Sequence, residues 1–185
     1  LRLLREDGRT WLAFSGRRYD AVISEPSNPW MAGVADLFTR EAFAAMAGAV
    51  ADGGVACQWV QAYLLAEERF RMVLRTWLAV FPRSIAVLSH LETTDVLLVG
   101  FVDRRTPAAA PRLDAAAIAA RLAARRPYPF GEGFAPESAV DLLQGFLAGP
   151  ERLLAWAGAG ALHTDDRPRL QFEAPLDLHD REARL

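Results

Sequence analysis

Tyr19-Asp20-Ala21-Val22-Ile23-Ser24-Glu25-Pro26-Ser27-Asn28-Pro29-Trp30 reads as a strand that breaks into a loop. Ala21 to Ile23 is short and apolar, as a strand core should be. Pro26 and Pro29 cannot donate to a sheet ladder, and each biases the residue before it toward extended geometry. The break therefore throws a carboxylate (Glu25), an amide (Asn28) and a large aromatic (Trp30) into one loop at the carboxyl end of a strand. In open α/β sheets that is where ligands bind.

Upstream, Leu1 to Leu4 reads as the end of another strand, Glu6-Asp7-Gly8-Arg9 as a turn, and Thr10 to Ser15 as a short helix ending near Gly16. Downstream, Ala32-Gly33-Val34-Ala35 is small enough to gate the loop, and Asp36 is placed to cap a helix. Leu37, Phe38, Ala42, Phe43, Ala45, Met46 and Val50 recur at helical spacing. Asp52-Gly53-Gly54 should end that helix and open a strand over Val55 to Val60. Glu67 to Val80 is an amphipathic helix, with Phe70, Val73, Leu74, Trp77 and Leu78 on one face and Phe81-Pro82 as its stop. Ile85 to Leu88 and Val96 to Val102 read as an antiparallel pair of strands.

This order of strand, helix, strand, helix, strand, strand predicts an α/β fold: the second half of a doubly wound sheet. Beyond residue 102 the composition shifts. Thr106 to Pro111 is an Ala/Pro linker, Leu113 to Arg125 a helix, and Pro127 to Pro136 a loop. Glu137 to Leu147 and Glu151 to Ala157 read as helices, and Arg169-Leu170-Gln171-Phe172 as a short strand. Two parts are expected: residues 1–102 as the sheet domain, and residues 103–185 as an Ala-rich helical extension and tail packing on it.

Composition narrows the chemistry. The chain has no lysine, which removes Schiff-base and phosphate-loop lysine chemistry. A net charge of −2 gives no general attraction to nucleic acid or to anionic membranes. The single cysteine, Cys57, forms no internal disulfide, fits a reducing compartment and sits in an apolar stretch. His90, His163 and His179 lack metal-ligand spacing, so no metal site is expected. The longest apolar run, Ala42 to Ala51, is too short to span a bilayer. With no initiator Met and no signal peptide, the chain reads as starting inside a longer one.

The stretch Y-D-A-V-I-S-E-P-S-N-P-W-M-A-G-V-A-D-L-F-T-R-E-A-F (19–43) resembles the spermidine synthase, or polyamine aminopropyltransferase, family. The resemblance continues through Gly53-Gly54-Val55-Ala56-Cys57-Gln58-Trp59 and returns at Thr164-Asp165-Asp166-Arg167-Pro168. It is nearest to the bacterial branch in which this domain is fused behind a membrane transporter-like region, and it is weak between about 103 and 160.

The resemblance implies a Rossmann-like sheet of the class I S-adenosylmethionine-dependent methyltransferase type, lacking its first strands here. It implies transfer of an aminopropyl group from decarboxylated S-adenosylmethionine, a co-substrate rather than a tightly bound cofactor, to a polyamine or other amine. The family's loop usually reads D-S-S-D-P or D-S-T-D-P; E-P-S-N-P has the same spacing. Glu25 matches the catalytic acid/base. Asn28 matches the second Asp, keeping its hydrogen-bonding shape but losing the charge, so one anionic site for the amine is missing. Trp30, Gln58, Trp59 and Tyr63 would bind or wall the amine, and Asp7 with Gly8 would contact the adenine.

The resemblance also implies a cytoplasmic location, at the membrane face if an upstream membrane region is fused, and a homodimer as the assembly it allows. The Gly-rich loop and the ribose-binding acid of the fold do not occur in this sequence, which points to the carboxyl-terminal part of a larger domain. Two other readings stay open. One is a methyltransferase using S-adenosylmethionine itself; the other is a non-catalytic regulatory or interaction domain that kept the fold after losing its nucleoside loop.

Overall fold

A computed structural model describes residues 3–89, 94–104, 114–124 and 138–178. The chain is α/β, built on a five-stranded mixed sheet. Its elements are α1 (Gly8–Phe14), β1 (Tyr19–Ser24), a 3-10 turn (Val34–Phe38), α2 (Arg40–Ala49), β2 (Val50–Gln61) and α3 (Glu67–Leu78). These are followed by β3 (Ser84–Leu88), β4 (Asp95–Phe101), α4 (Ala115–Ala123), α5 (Ala139–Gln144), β5 (Phe146–Ala148), α6 (Pro150–Ala157) and α7 (Arg169–Asp177). The sheet order is β1-β2-β4-β3-β5. β1 and β2 are parallel; the other pairs are antiparallel. The linker over 106–111, the loop over 127–136, His90 and His179 lie outside the described residues.

Alternation along the strands sorts the sheet into two faces. Val22, Ala56, Gln58, Val60, Leu98 and Ala86 share one face through the strand register and are all buried. α2 and α3 lie on that face, with α6 and α7 packed against α3. The predicted stripe of α3 is buried, and so are Met72, Arg75 and Thr76 on its flanks. A surface helix needs only one apolar stripe; α3 has the sheet on one side and the carboxyl-terminal helices on the other. Arg75 ties them down, donating to the carbonyls of Ala157 at 2.8 Å and Ala161 at 3.2 Å and pairing with Glu68. Leu153, Ala157, Leu170 and Ala174 join the same core as the sheet residues. On the opposite face Ile23 is 73% exposed, while Cys57, Trp59, Leu97 and Val99 are half-buried. Burial pushes the Cys57 thiol pKa up, away from reactive thiolate.

Several local expectations are corrected. Leu3 and Leu4 are exposed and belong to no strand, and Leu1 and Arg2 lie outside the described residues. Asp7-Gly8 starts α1 rather than forming a separate turn: the Asp7 carboxylate caps it by accepting the Thr10 N–H at 2.7 Å. Thr39, not Asp36, caps α2, accepting the Ala42 N–H at 3.2 Å; Asp36 sits in the 3-10 turn. Arg169–Asp177 is a helix rather than a strand, because Leu170, Ala174 and Asp177 all point inward at helical spacing. The helix expected over 137–147 ends at Gln144, and Phe146–Ala148 joins β3 as an edge strand.

Asp52-Gly53-Gly54 lies inside β2, not before it. Tyr19 pairs with Val50, but Ala21 pairs with Val55, so extra residues bulge from β2. Gly53 makes the bulge with φ +80°, and a Cβ on Gly54 would lie 2.7 Å from the Asp20 carbonyl oxygen and 2.8 Å from Val50 Cγ1. Backbone cannot yield as a flexible side chain does. Gly54→Ala should therefore cost about 2 kcal/mol of stability, read as a lower urea midpoint at constant m-value.

The tail turn around Thr164 is a stapling point. Thr164 and Arg167 bridge across it, and Thr164 Oγ1 donates to Asp166 at 2.6 Å. Asp165 pairs with Arg9 of α1, not with its neighbour Arg167, and its N–H donates to Glu41 at 3.0 Å. His163 is fully buried at the centre. Its Nδ1 accepts the Leu170 N–H at 3.3 Å, which leaves the ring proton on Nε2, donated to the Ala35 carbonyl at 2.9 Å. Its own N–H donates to Thr76 Oγ1, and its carbonyl accepts from the Arg40 N–H.

Burial pushes the His163 imidazole pKa down, against the opposing pull of the Ala35 carbonyl and of Asp36, Asp165 and Glu41. The folded state then binds a proton less readily than the unfolded chain, so stability rises with pH in this window. It is fully present above the unfolded value of about 6.5 and is lost as pH falls from there toward the depressed folded value. Melting temperature followed from pH 7.5 downward should show this slope in the parent chain and a flatter one in His163→Gln. Equal slopes would remove His163 as its source.

Candidate functional site

The site is built where β1 stops. Pro26 and Pro29 are buried, and the loop after them is closed by two turns: the Met31 N–H donates to Asn28 at 3.0 Å, and the Val34 N–H to Met31 at 3.1 Å. Gly33, with φ +80°, lets the loop swing into the 3-10 turn. This rigid excursion crosses to the segment leaving β2. Tyr63 Oη donates to Asn28 Oδ1 at 2.9 Å, and the Trp30 ring stands edge-on to Tyr63 with centroids 5.6 Å apart. Asn28, Trp30 and Tyr63 are therefore one cluster. Leu64, beside Tyr63, holds φ 56°, a strained left-handed value for a bulky residue and the only one outside glycine among the described residues.

Glu25 is exposed and makes no hydrogen bond or ion pair with a described residue. Its carboxylate is free to take a cation or a proton from outside. Gln58 and Trp59 do not share a face, contrary to the expectation that Gln58 binds the amine where Trp59 walls it. Gln58 is fully buried on the helix-covered face, opposite Ser24 and Leu98; its amide donates to the Trp59 carbonyl at 3.0 Å and its Oε1 has no donor. Trp59 points to the other face, opposite Leu97. Neighbours in a strand always diverge in this way.

Asp7 and Gly8 stand apart from the loop cluster, at the start of α1, which packs on α2. The hydrogen bond to Thr10 holds the Asp7 carboxyl below its ordinary pKa. Asp7 lines a cavity of about 260 Å³ with Glu6, Thr10, Trp11, Phe14 and Ser15. Its Oδ1 serves the cap of α1.

Two residues escaped the sequence reading. β2 runs on to Gln61, whose amide donates to the Pro26 carbonyl at 2.9 Å and so holds the loop from below. Asp95 is its partner across the ladder. The signal was available in the period of two: Trp59 and Gln61 fall on the same face once the strand is extended past Val60. Gly53-Gly54 serves the β2 bulge. Among the described residues, no group of three or more His, Cys, Asp and Glu side chains is placed to hold a metal ion. No helix among them is long and apolar enough to cross a membrane.

Compared with known proteins, the chain matches no family model and no curated sequence. What the geometry offers is chemical: a free carboxylate, an aromatic pair and an amide held on a two-proline loop at the carboxyl end of a parallel strand. Such a set can bind a cationic amine, screen it from water and accept its proton.

Proposed function

We propose that this chain is a spermidine synthase-like domain of the class I methyltransferase type, and that it transfers an aminopropyl group from decarboxylated S-adenosylmethionine to an amine. The observation that carries the reading is the Asn28, Trp30 and Tyr63 cluster beside the unpartnered Glu25. The topology supports it as well: strand, helix, strand, helix and then an antiparallel hairpin is the order that the resemblance implies for the second half of that sheet.

In the proposed reaction Glu25 takes a proton from the substrate ammonium, which frees the nitrogen lone pair. The nitrogen attacks the methylene carbon next to the sulfonium. A C–N bond forms, the C–S bond breaks, and its electron pair goes to sulfur, which leaves as a neutral thioether. Trp30 and Tyr63 orient the amine and exclude water. Asp7 contacts the adenine.

The test is incubation of the full chain with 1,4-diaminobutane and either decarboxylated S-adenosylmethionine or S-adenosylmethionine, with products read by mass spectrometry. The proposal expects an aminopropylated amine from the decarboxylated nucleoside alone. A methylated product from S-adenosylmethionine would make the domain a methyltransferase; no product from either would take the transfer away from this chain by itself.

A further inference from the structure

Residues 62–66 carry the chain from the end of β2 to the start of α3, and this crossing is tied down at both ends. On the loop side Tyr63 Oη donates to Asn28 Oδ1 at 2.9 Å, and its ring meets Trp30. On the helix side Leu65 is fully buried, and the Ala66 N–H donates to Asp177 Oδ2 at 2.8 Å. Between the two ties Leu64 holds φ 56°, the left-handed region in which a Cβ crowds the carbonyl oxygen that follows it. Its side chain is 39% exposed, so its own packing does not hold it there. Strain of this kind persists only where the surroundings over-determine the backbone. Asp177 is the distant part of those surroundings. It ends α7, is only 3% exposed, and has its charge met by Arg69 of α3 at 3.4 Å. Burying a carboxylate is costly even when it is paired. The N–H it accepts belongs to Ala66, the N-cap residue of α3, with φ −61° and ψ 147°. The bond therefore fixes how the chain enters the helix, two residues after Leu64.

We infer that Asp177 is a positioning residue for the candidate site: it holds the crossing in the strained turn that keeps Tyr63 on Asn28. Gln61 is fixed through the Pro26 carbonyl at one end, and Leu65 and Ala66 are fixed at the other. The turn between them closes with Leu64 left-handed. Once the Asp177 bond is gone, Leu64 relaxes toward an ordinary φ, the turn opens, and Tyr63 leaves Asn28. The docked tail thus sets the state of the loop that carries Trp30. A plain cap for α3 has no such link: the helix would lose a bond and the turn would keep its shape. The tether stands on the backbone geometry alone, and only its meaning for amine binding rests on the proposed transfer.

Urea unfolding of the full chain carrying Leu64→Gly or Leu64→Ala tests this, in the parent and in Asp177→Ala. The two substitutions differ by one methyl group. At an ordinary position glycine is the less stable, because it loses more freedom on folding; at a left-handed φ the order reverses. In the parent, Leu64→Gly should unfold at a urea midpoint above that of Leu64→Ala by about 0.5 M. In Asp177→Ala the order should invert, with Leu64→Ala the higher. Ala66→Pro removes the same bond from the other side, at a φ that proline adopts, and should invert the order too, so the test survives an Asp177→Ala chain that fails to fold. Tyr63→Phe reads the loop end: it should lower the midpoint in the parent and leave it unchanged once the Asp177 bond is gone. Alanine above glycine in the parent would remove the strain, and the tether with it. Glycine above alanine in every background, or Tyr63→Phe lowering every background equally, would make Asp177 a cap of α3 and nothing more. Transfer enters none of these readouts. An inverted order without aminopropylated product leaves the tether standing without the transfer; product with an unchanged order leaves the transfer without the tether.

Discussion

Glu25→Gln should lower aminopropyl transfer by about 10²- to 10⁴-fold, the range for loss of a positioned general base. It should do so with the fold untouched. Glu25 is exposed, and no described residue depends on it for a hydrogen bond or an ion pair. Glutamine keeps its length and shape, so the change in unfolding free energy should stay within about 0.5 kcal/mol. What is lost is the ability to accept a proton. Single-turnover rates with decarboxylated S-adenosylmethionine, measured beside a thermal melt, check both halves. A parent-like rate would take the base role away from Glu25. Loss of rate with a lowered melting temperature would instead mean that Glu25 supports the loop. Tyr63→Phe is the informative companion: it removes the donor to Asn28 but keeps the ring against Trp30, so it separates loop positioning from base chemistry.

The largest stability effect should come from Trp77→Ala, about 4 kcal/mol. Trp77 is completely buried and is among the largest side chains in the core. Phe43 meets it edge-on with centroids 5.0 Å apart, and Phe81 lies tilted against it at 4.3 Å. Its indole N–H donates to Ser84 Oγ at 2.8 Å, and that hydroxyl in turn donates to the Phe81 carbonyl at 2.7 Å. The residue thus joins α2, α3 and the start of β3. Truncation leaves a cavity among side chains that are pinned from three directions and relax little, so transfer and cavity costs add. Phe81 cannot fill the space, because its ring already occupies the position a Cβ of Gly100 would take, 2.7 Å away. Trp77→Phe should cost less than half as much, since it keeps ring packing and loses the indole donor. Guanidinium unfolding curves with a common m-value measure both; equal costs for the two variants would place the energy in the hydrogen bond instead.

Local chemistry made much of this architecture legible. Apolar residues around Val22, together with Pro26 and Pro29, announce a strand that must stop and turn. The helical spacing from Phe70 to Leu78 announces α3, and two apolar runs near residues 85 and 98 announce a hairpin. The loop and its Glu25, Asn28 and Trp30 were readable for the same reason: proline and strand period act over a few residues and need no partner. Other features were ambiguous because a short window fits two periods. Arg169-Leu170-Gln171-Phe172 alternates as a strand would, and only the core that receives Leu170 and Ala174 selects a helix. Asp177 at its end then reaches 111 residues back along the chain to accept the Ala66 N–H at 2.8 Å, at the start of α3.

The sequence by itself determined the places of β1, α3, β3 and β4, where the loop breaks, and which chemistries the composition excludes. Only the tertiary structure decided that Gln58 and Trp59 serve opposite faces, that His163 is a buried staple, and that Gln61 meets Asp95. The division has one physical cause. Propensity, proline geometry and periodicity are written along the chain, whereas register and burial exist only after distant segments are brought together, and it is burial that turns an ordinary Gln, His or Asp into a group that needs a partner.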